Sequence, residues 1–122
     1  MREIVIDTNF ATIPFQFKVD IFQEFQKIME SEYFITFPKI CLEELERLKY
    51  GKPALKLLKD KNVKIVDIEK IKNVDNSIIE YAKSKKAMIA TQDKELKKKA
   101  LKERLCVITL RQKKYLKVIY WD

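Results

Sequence analysis

The chain contains no histidine, a single glycine, three prolines and two cysteines among its 122 residues. Without histidine, neither a Cys/His zinc centre nor a hydrolytic triad with an imidazole base can be assembled. Cys41 and Cys106 lie among apolar residues and form no C-x-x-C pair. They read as core packing, with a bridge between them open if the source is a thermophile. The turn after the first strand carries no glycine, which argues against the phosphate-cradling loops of the usual nucleotide-binding folds. Long hydrophobic runs are also missing, so no segment reads as a membrane span. Acids at positions 3 and 7 interrupt what would have to be the apolar part of a signal peptide. A cytoplasmic protein without membrane association is expected.

What the chain does have is 47% hydrophobic and 36% charged residues, the balance of a globular protein. Its length suits one domain, residues 1–122. The net charge is +8, most of the basic residues being lysine. Such an excess favours a polyanionic partner, although genome bias or heat adaptation gives the same composition. The placement is more informative. Lys94, Lys97, Lys98, Lys99, Lys102 and Arg104 crowd one segment, and Arg111, Lys113, Lys114 and Lys117 follow.

The stretch EIVIDTN, residues 3–9, organises the rest. Ile4, Val5 and Ile6 make a β-branched run suited to a strand buried on both faces, and the run stops at Asp7. Any of Asp7, Thr8 and Asn9 can cap a following helix. Pro14 interrupts, and Phe17, Ile21, Phe22, Phe25, Ile28 and Met29 then recur at helical spacing. Residues 33–37 read as a second strand ended by Pro38, and a helix is expected over 39–49. Gly51 and Pro53 restart a helix through Leu58, and 63–68 make a third strand. A helix begins at 73–76 with Ile78, Ile79, Tyr81 and Ala82 facing inward. Residues 87–91 form a fourth strand, Asp93 opens a basic helix, and 105–110 form a fifth strand, with 116–120 as a candidate short addition. Strands alternating with helices imply an α/β/α sandwich around a mostly parallel five-stranded sheet. Phe10, Ile13, Phe15 and Phe17 are more apolar than a loop needs, leaving core packing and a homodimer contact both open.

Ligands of open α/β sheets bind outside the carboxyl ends of the strands, where strand order reverses. Asp7, Asp75 and Asp93 all map to that rim, though each also suits an N-cap. On a wheel of about 100° per residue, Cys41, Leu45 and Leu48 define the buried face of the 39–49 helix. Glu44 then lands on its shoulder, while Glu43 faces outward to pair with Arg47. Three or four converging acids without histidine or cysteine would form a hard oxygen site for Mg²⁺ or Mn²⁺. Two such ions about 4 Å apart can stabilise both the attacking and the leaving oxygen of phosphodiester hydrolysis. Basic segments beside the acids would then offset repulsion of a phosphate backbone. A phosphoryl-accepting receiver domain would want a paired acid on strand one, which is lacking. A non-catalytic RNA-binding or assembly module would keep the charge and the fold while being indifferent to EDTA.

The motifs IVIDTN at 4–9, ICLEELERL at 40–48, VDNSII at 74–79 and IATQDKEL at 89–96 together resemble the PIN-domain family of metal-dependent ribonucleases. With the tail ITLRQKKYLKV at 108–118, the chain is most similar to the branch of archaeal and eukaryotic ribosomal-RNA processing endonucleases. The resemblance implies a parallel five-stranded core, an acidic pocket for Mg²⁺ or Mn²⁺, and endonucleolytic cleavage of single-stranded RNA, with precursor ribosomal RNA as a substrate. It assigns the ligand and catalytic roles to Asp7, Glu44, Asp75 and Asp93, with Asn9 and Thr91 in support. Asn76 stands where many relatives carry a second acid, and Glu95 is the nearest match to a further one. Lys94, Lys97, Lys98, Arg111 and Lys113 are candidates for gripping RNA. A toxin paired with an antitoxin, and a ribosome-assembly partner, remain alternatives within the same family.

Overall fold

Residues Ile4, Val5 and Ile6 are fully buried at the centre of the sheet, in strand β1 (Arg2–Ile6). The computed structural model describes residues 1–120. Among these, six strands form one sheet in the order β3-β2-β1-β4-β5-β6. The others are β2 (Tyr33–Pro38), β3 (Lys64–Val66), β4 (Met88–Ala90), β5 (Val107–Arg111) and β6 (Tyr115–Ile119). All pairings are parallel except β5 with β6. The expected five-strand core is therefore extended by a sixth, antiparallel strand. A hairpin turn through Gln112 and Lys113 makes it, both in the left-handed region at φ 53° and 55°. That turn lacks the Asn-Gly signature by which tight hairpins announce themselves.

Seven α-helices connect the strands: α1 (Thr8–Ala11), α2 (Ile13–Phe17), α3 (Ile21–Ile28), α4 (Leu42–Arg47), α5 (Gly51–Asp60), α6 (Val74–Lys85) and α7 (Lys94–Lys102). Right-handed crossovers place α1 to α5 on one face and α6 and α7 on the other. Accordingly α4 packs on α5 and α1, and α6 packs on α7. Among the described residues, no helix is long and apolar enough to cross a membrane.

Several boundaries differ from the periodic reading, each for a local reason. The helical pattern beginning at Phe17 is broken because Lys18 is left-handed at φ 57° and Asp20 caps α3 by accepting from Phe22 N and Gln23 N. Pro14 sits in the first turn of α2 and opens that helix rather than interrupting one. The expected 39–49 helix is a 3₁₀ turn, Lys39–Cys41, followed by α4. Phe10 and Ile13 are fully buried, and Phe15 and Phe17 pack against the same core. Cys41 and Cys106 are both free. They flank opposite ends of the strands, Cys41 after β2 and Cys106 before β5, so core packing accounts for them.

One buried carboxylate besides Asp7 lies in β1. Glu3 accepts from Thr36 Oγ1 at 2.8 Å and Tyr81 Oη at 2.7 Å, tying β1 to β2 and α6. Two hydroxyl donors compensate its burial.

Candidate active site

The chain runs from β1 to β2 and β3 on one side, and from β4 to β5 and β6 on the other. The switch point thus lies between β1 and β4, where an α/β sheet opens a crevice. Asp7 leaves β1 there as the N-cap of α1, and Thr91 and Asp93 leave β4 beside it. A pocket of about 160 Å³ occupies the crevice, lined on its polar side by Asp7, Thr8, Asn9, Glu44, Asp75 and Asp93. The four acids singled out in the sequence are thereby brought around one cavity by four different segments.

Asp7 is 8% exposed and is fixed at both oxygens. Its Oδ1 accepts from Phe10 N at 2.9 Å, and its Oδ2 accepts from the Thr91 hydroxyl. Thr91 Oγ1 in turn accepts from Asp93 N at 3.0 Å. One buried threonine therefore sets the spacing of the two central acids, the geometry expected of a supporting residue. Asp93 Oδ1 caps α7 by accepting from Glu95 N and Leu96 N at 2.8 and 3.2 Å, and Asp93 lines the cavity. Asp75 is not a cap. Asn73 caps α6, and Asp75 stands in the first turn, half-buried and turned into the pocket. Glu44 lines the pocket from its outer wall and is exposed, because the 3₁₀ turn shifts the helical phase that the wheel assumed. Asn9 is exposed at the pocket's rim.

Burial is the chief cause that pushes the Asp7 carboxyl up to about 6, with the charges of Asp93 and Asp75 adding to it. The hydrogen bonds from Thr91 and Phe10 act in the opposite direction. The Asp75 carboxyl is also raised, first by burial and then by Asp93, while Lys99 opposes the rise. The Cys41 thiol is pushed up to about 11 by burial, despite the neighbouring Thr8 hydroxyl, and is therefore uncharged at neutral pH. As pocket-lining residues Thr8 and Cys41 were not legible in the sequence, where Thr8 reads only as a candidate helix cap and Cys41 only as core packing. Thr8 Oγ1 is buried without a normal hydrogen bond to the described residues.

The donor set fits a hard divalent cation. Four carboxylates line one cavity, and among the described residues no lysine or arginine does. Burial is the main cause that lifts Asp7, and the charges of Asp93 and Asp75 add to it; a cation placed among them would offset that added repulsion. Among the described residues, however, no three acids stand close enough together to hold a metal ion as they are placed, so a cation would have to draw the carboxylates inward.

Basic residues gather outside the pocket. Lys97 on α7 is half-buried, and its ammonium is held below its usual value by burial and then by Arg111 and Lys94. Those three cations therefore crowd together, as a phosphate-binding surface requires. Lys113 lies over the Phe17 ring, its Nζ 5.8 Å from the centroid. Lys98 is exposed on α7.

Replacing Thr91 by valine removes the hydroxyl that holds Asp7 and Asp93 in register. Because that bond lowers the Asp7 carboxyl, its loss moves the acid limb of any pH–rate profile toward higher pH. A 10- to 100-fold fall in activity is expected at neutral pH, on the order seen when supports of metal ligands are removed. A pH–rate profile of the variant checks both.

The chain is similar to known proteins over nearly its whole length. The profile of the PIN like domain family matches residues 4–113. Ribonuclease VapC4 of Methanocaldococcus jannaschii is 34% identical over an alignment covering 97% of both chains. The solved structure of the PIN domain endonuclease Utp24 superposes with a TM-score of 0.83 at 24% identity, covering 97% of this chain and 91% of that one. A domain of a functionally unknown protein from M. jannaschii gives a TM-score of 0.59 at 14% identity, covering 91% and 92%. The last two likenesses concern the fold.

Proposed function

The chain belongs to the PIN-like domain family, and on that footing we propose that it is an endoribonuclease dependent on Mg²⁺ or Mn²⁺. It hydrolyses phosphodiester bonds of single-stranded RNA, with residues 1–122 acting as one nuclease domain. The observation that carries the reading is the convergence of Asp7, Glu44, Asp75 and Asp93 on one cavity that, among the described residues, no basic side chain lines. A relative named as a ribonuclease favours RNA over DNA.

Asp7 and Asp93 would hold the cation, with Asp75 and Glu44 completing the cluster directly or through water. When bound, the cation supplies a nucleophile at neutral pH and neutralises charge on the phosphate. The protein contributes position. Thr91 and the α1 backbone lock Asp7, and the α7 cap locks Asp93. Lys94, Lys97 and Arg111 draw the RNA backbone toward a rim that the acids alone would repel. Asn9, at the rim, orients the incoming phosphate.

Purified protein is expected to cleave unstructured RNA with Mn²⁺ and to stop on addition of EDTA. Activity unaffected by EDTA and by acid-to-amide substitution would overturn the proposal. Precursor ribosomal RNA is the natural first substrate. A toxin role, the alternative, is separated from it by whether a small protein encoded beside the gene inhibits the enzyme.

A further inference from the structure

A second groove opens beside the acidic pocket. Asn9, Ile13, Gln16, Phe17, Gln92 and Asp93 line it, and Asn9 and Asp93 are common to both. At about 300 Å³ it matches the small end of the range in which organic ligands are held. Its chemistry differs from that of the pocket. Three carboxamides, an aromatic ring and an aliphatic side chain replace the ring of acids.

The orientation of Gln92 is fixed from behind. Its Oε1 accepts from Leu110 N at 2.6 Å and from Thr109 Oγ1 at 2.7 Å. A backbone N–H can only donate, so the atom it reaches is the carbonyl oxygen of the amide. Both lone pairs of that oxygen are engaged, and the NH₂ is the half of the amide available to a ligand. On the opposite side, Phe17 is half-buried and carries Lys113 Nζ 5.8 Å from its centroid. The hairpin turn places that lysine, closed by Lys114 N donating to Arg111 O at 3.0 Å. An aromatic ring flanked by a cation, with hydrogen-bonding amides facing it, suits an unpaired base and its phosphate.

We propose that this groove is a subsite for the base adjoining the scissile phosphate, and that the Gln92 NH₂ favours a base with a keto oxygen where adenine and cytosine carry an amino group, that is uracil or guanine. The inference rests on the endoribonuclease reading above. The groove joins the acidic pocket at Asn9 and Asp93, so a base held there delivers its phosphate to the acids. Paired recognition of adenine by a glutamine needs both the amide oxygen and the amide nitrogen. Here the oxygen is already committed to β5, and only donors remain.

The test has two arms. In EDTA, where no cleavage occurs, wild type, Phe17→Leu and Phe17→Trp are titrated with fluorescent single-stranded oligonucleotides, and circular dichroism verifies folding. Phe17→Leu is expected to weaken binding roughly tenfold, as loss of one stacked base does, while Phe17→Trp retains it. An oligonucleotide abasic at one position should erase the difference. In Mn²⁺, wild type is expected to cut a randomised RNA pool with a preference of roughly tenfold for uracil or guanine over adenine at one position beside the cut. Gln92→Glu keeps an acceptor for Leu110 N but exchanges the donor for a second acceptor, so the preference should move toward adenine and cytosine. Cleavage with no base preference at any position, and none altered by Gln92→Glu, overturns the inference while leaving the nuclease reading intact. If wild type cuts no RNA, the nuclease reading fails, and the binding arm decides alone. Equal affinities for wild type and Phe17→Leu would then dispose of the subsite.

Discussion

Asp7→Asn is expected to reduce RNA cleavage by at least about a thousandfold while making the metal-free fold more stable at pH 7–8. The loss follows from removing the most buried carboxylate of the cluster. Cation-borne stabilisation of a phosphoryl transition state amounts to several kcal/mol, and each 1.36 kcal/mol is tenfold in rate. The gain in stability follows from the ionisation of Asp7. Its carboxyl ionises near 6 in the folded chain and near 3.8 when unfolded. Between those values the folded state binds the extra proton, so stability is greatest on the acid side and falls as pH rises toward 6. Above pH 6 the ionised, buried carboxylate costs about 3 kcal/mol relative to its neutral form. Asparagine is neutral throughout and keeps an acceptor for Phe10 N, but it weakens the contact with Thr91. A net rise of about 1–2 kcal/mol is expected in EDTA at pH 8, seen as several degrees in melting temperature. At pH 4.5 the difference should nearly vanish. Thermal melts at the two pH values, beside a cleavage assay, check the pair of effects. A variant that loses activity and stability together at pH 8 would argue that Asp7 is a structural cap.

The largest effect on folding is expected at Gly51. A Cβ added there would lie 1.8 Å from the carbonyl oxygen of Leu45 and 2.9 Å from its carbon. Both atoms are backbone, so relief requires α5 to move away from α4, whose only fully buried side chain is Leu45. Separation of those helices also displaces Glu44 from the wall of the pocket. Gly51→Ala should cost about 3 kcal/mol or more. Urea unfolding measures it, with a lowered midpoint and an unchanged slope as the expected signature. Gly51 adopts no positive φ, so the requirement comes from close approach alone.

The sequence made the sheet legible where burial on both faces writes a continuous β-branched run, as in residues 4–6. The acidic pocket was legible for a related reason, since Asp7 ends that run and Asp93 opens the segment after β4. Other features depended on tertiary context. Glu44 was placed toward the interior by a wheel that assumed one regular helix, whereas the 3₁₀ turn at Lys39–Cys41 leaves it exposed on the pocket wall. Asp75 suited a cap, but Asn73 two residues earlier takes that role. The sixth strand was uncertain because its turn uses glutamine and lysine in left-handed geometry. Gln92, Gln16 and Phe17 left no trace at all as a group. Their juxtaposition arises only when α2 and the end of β4 meet beside the switch point.

The central claim is that the four acids form one cation site. Diffraction from a crystal soaked in Mn²⁺, recorded with the anomalous signal of manganese, tests it most directly. A peak enclosed by Asp7, Asp75 and Asp93, absent from an Asp7→Asn crystal treated alike, is the predicted result. Manganese bound elsewhere, with the cavity between these carboxylates still free of it, would contradict the account.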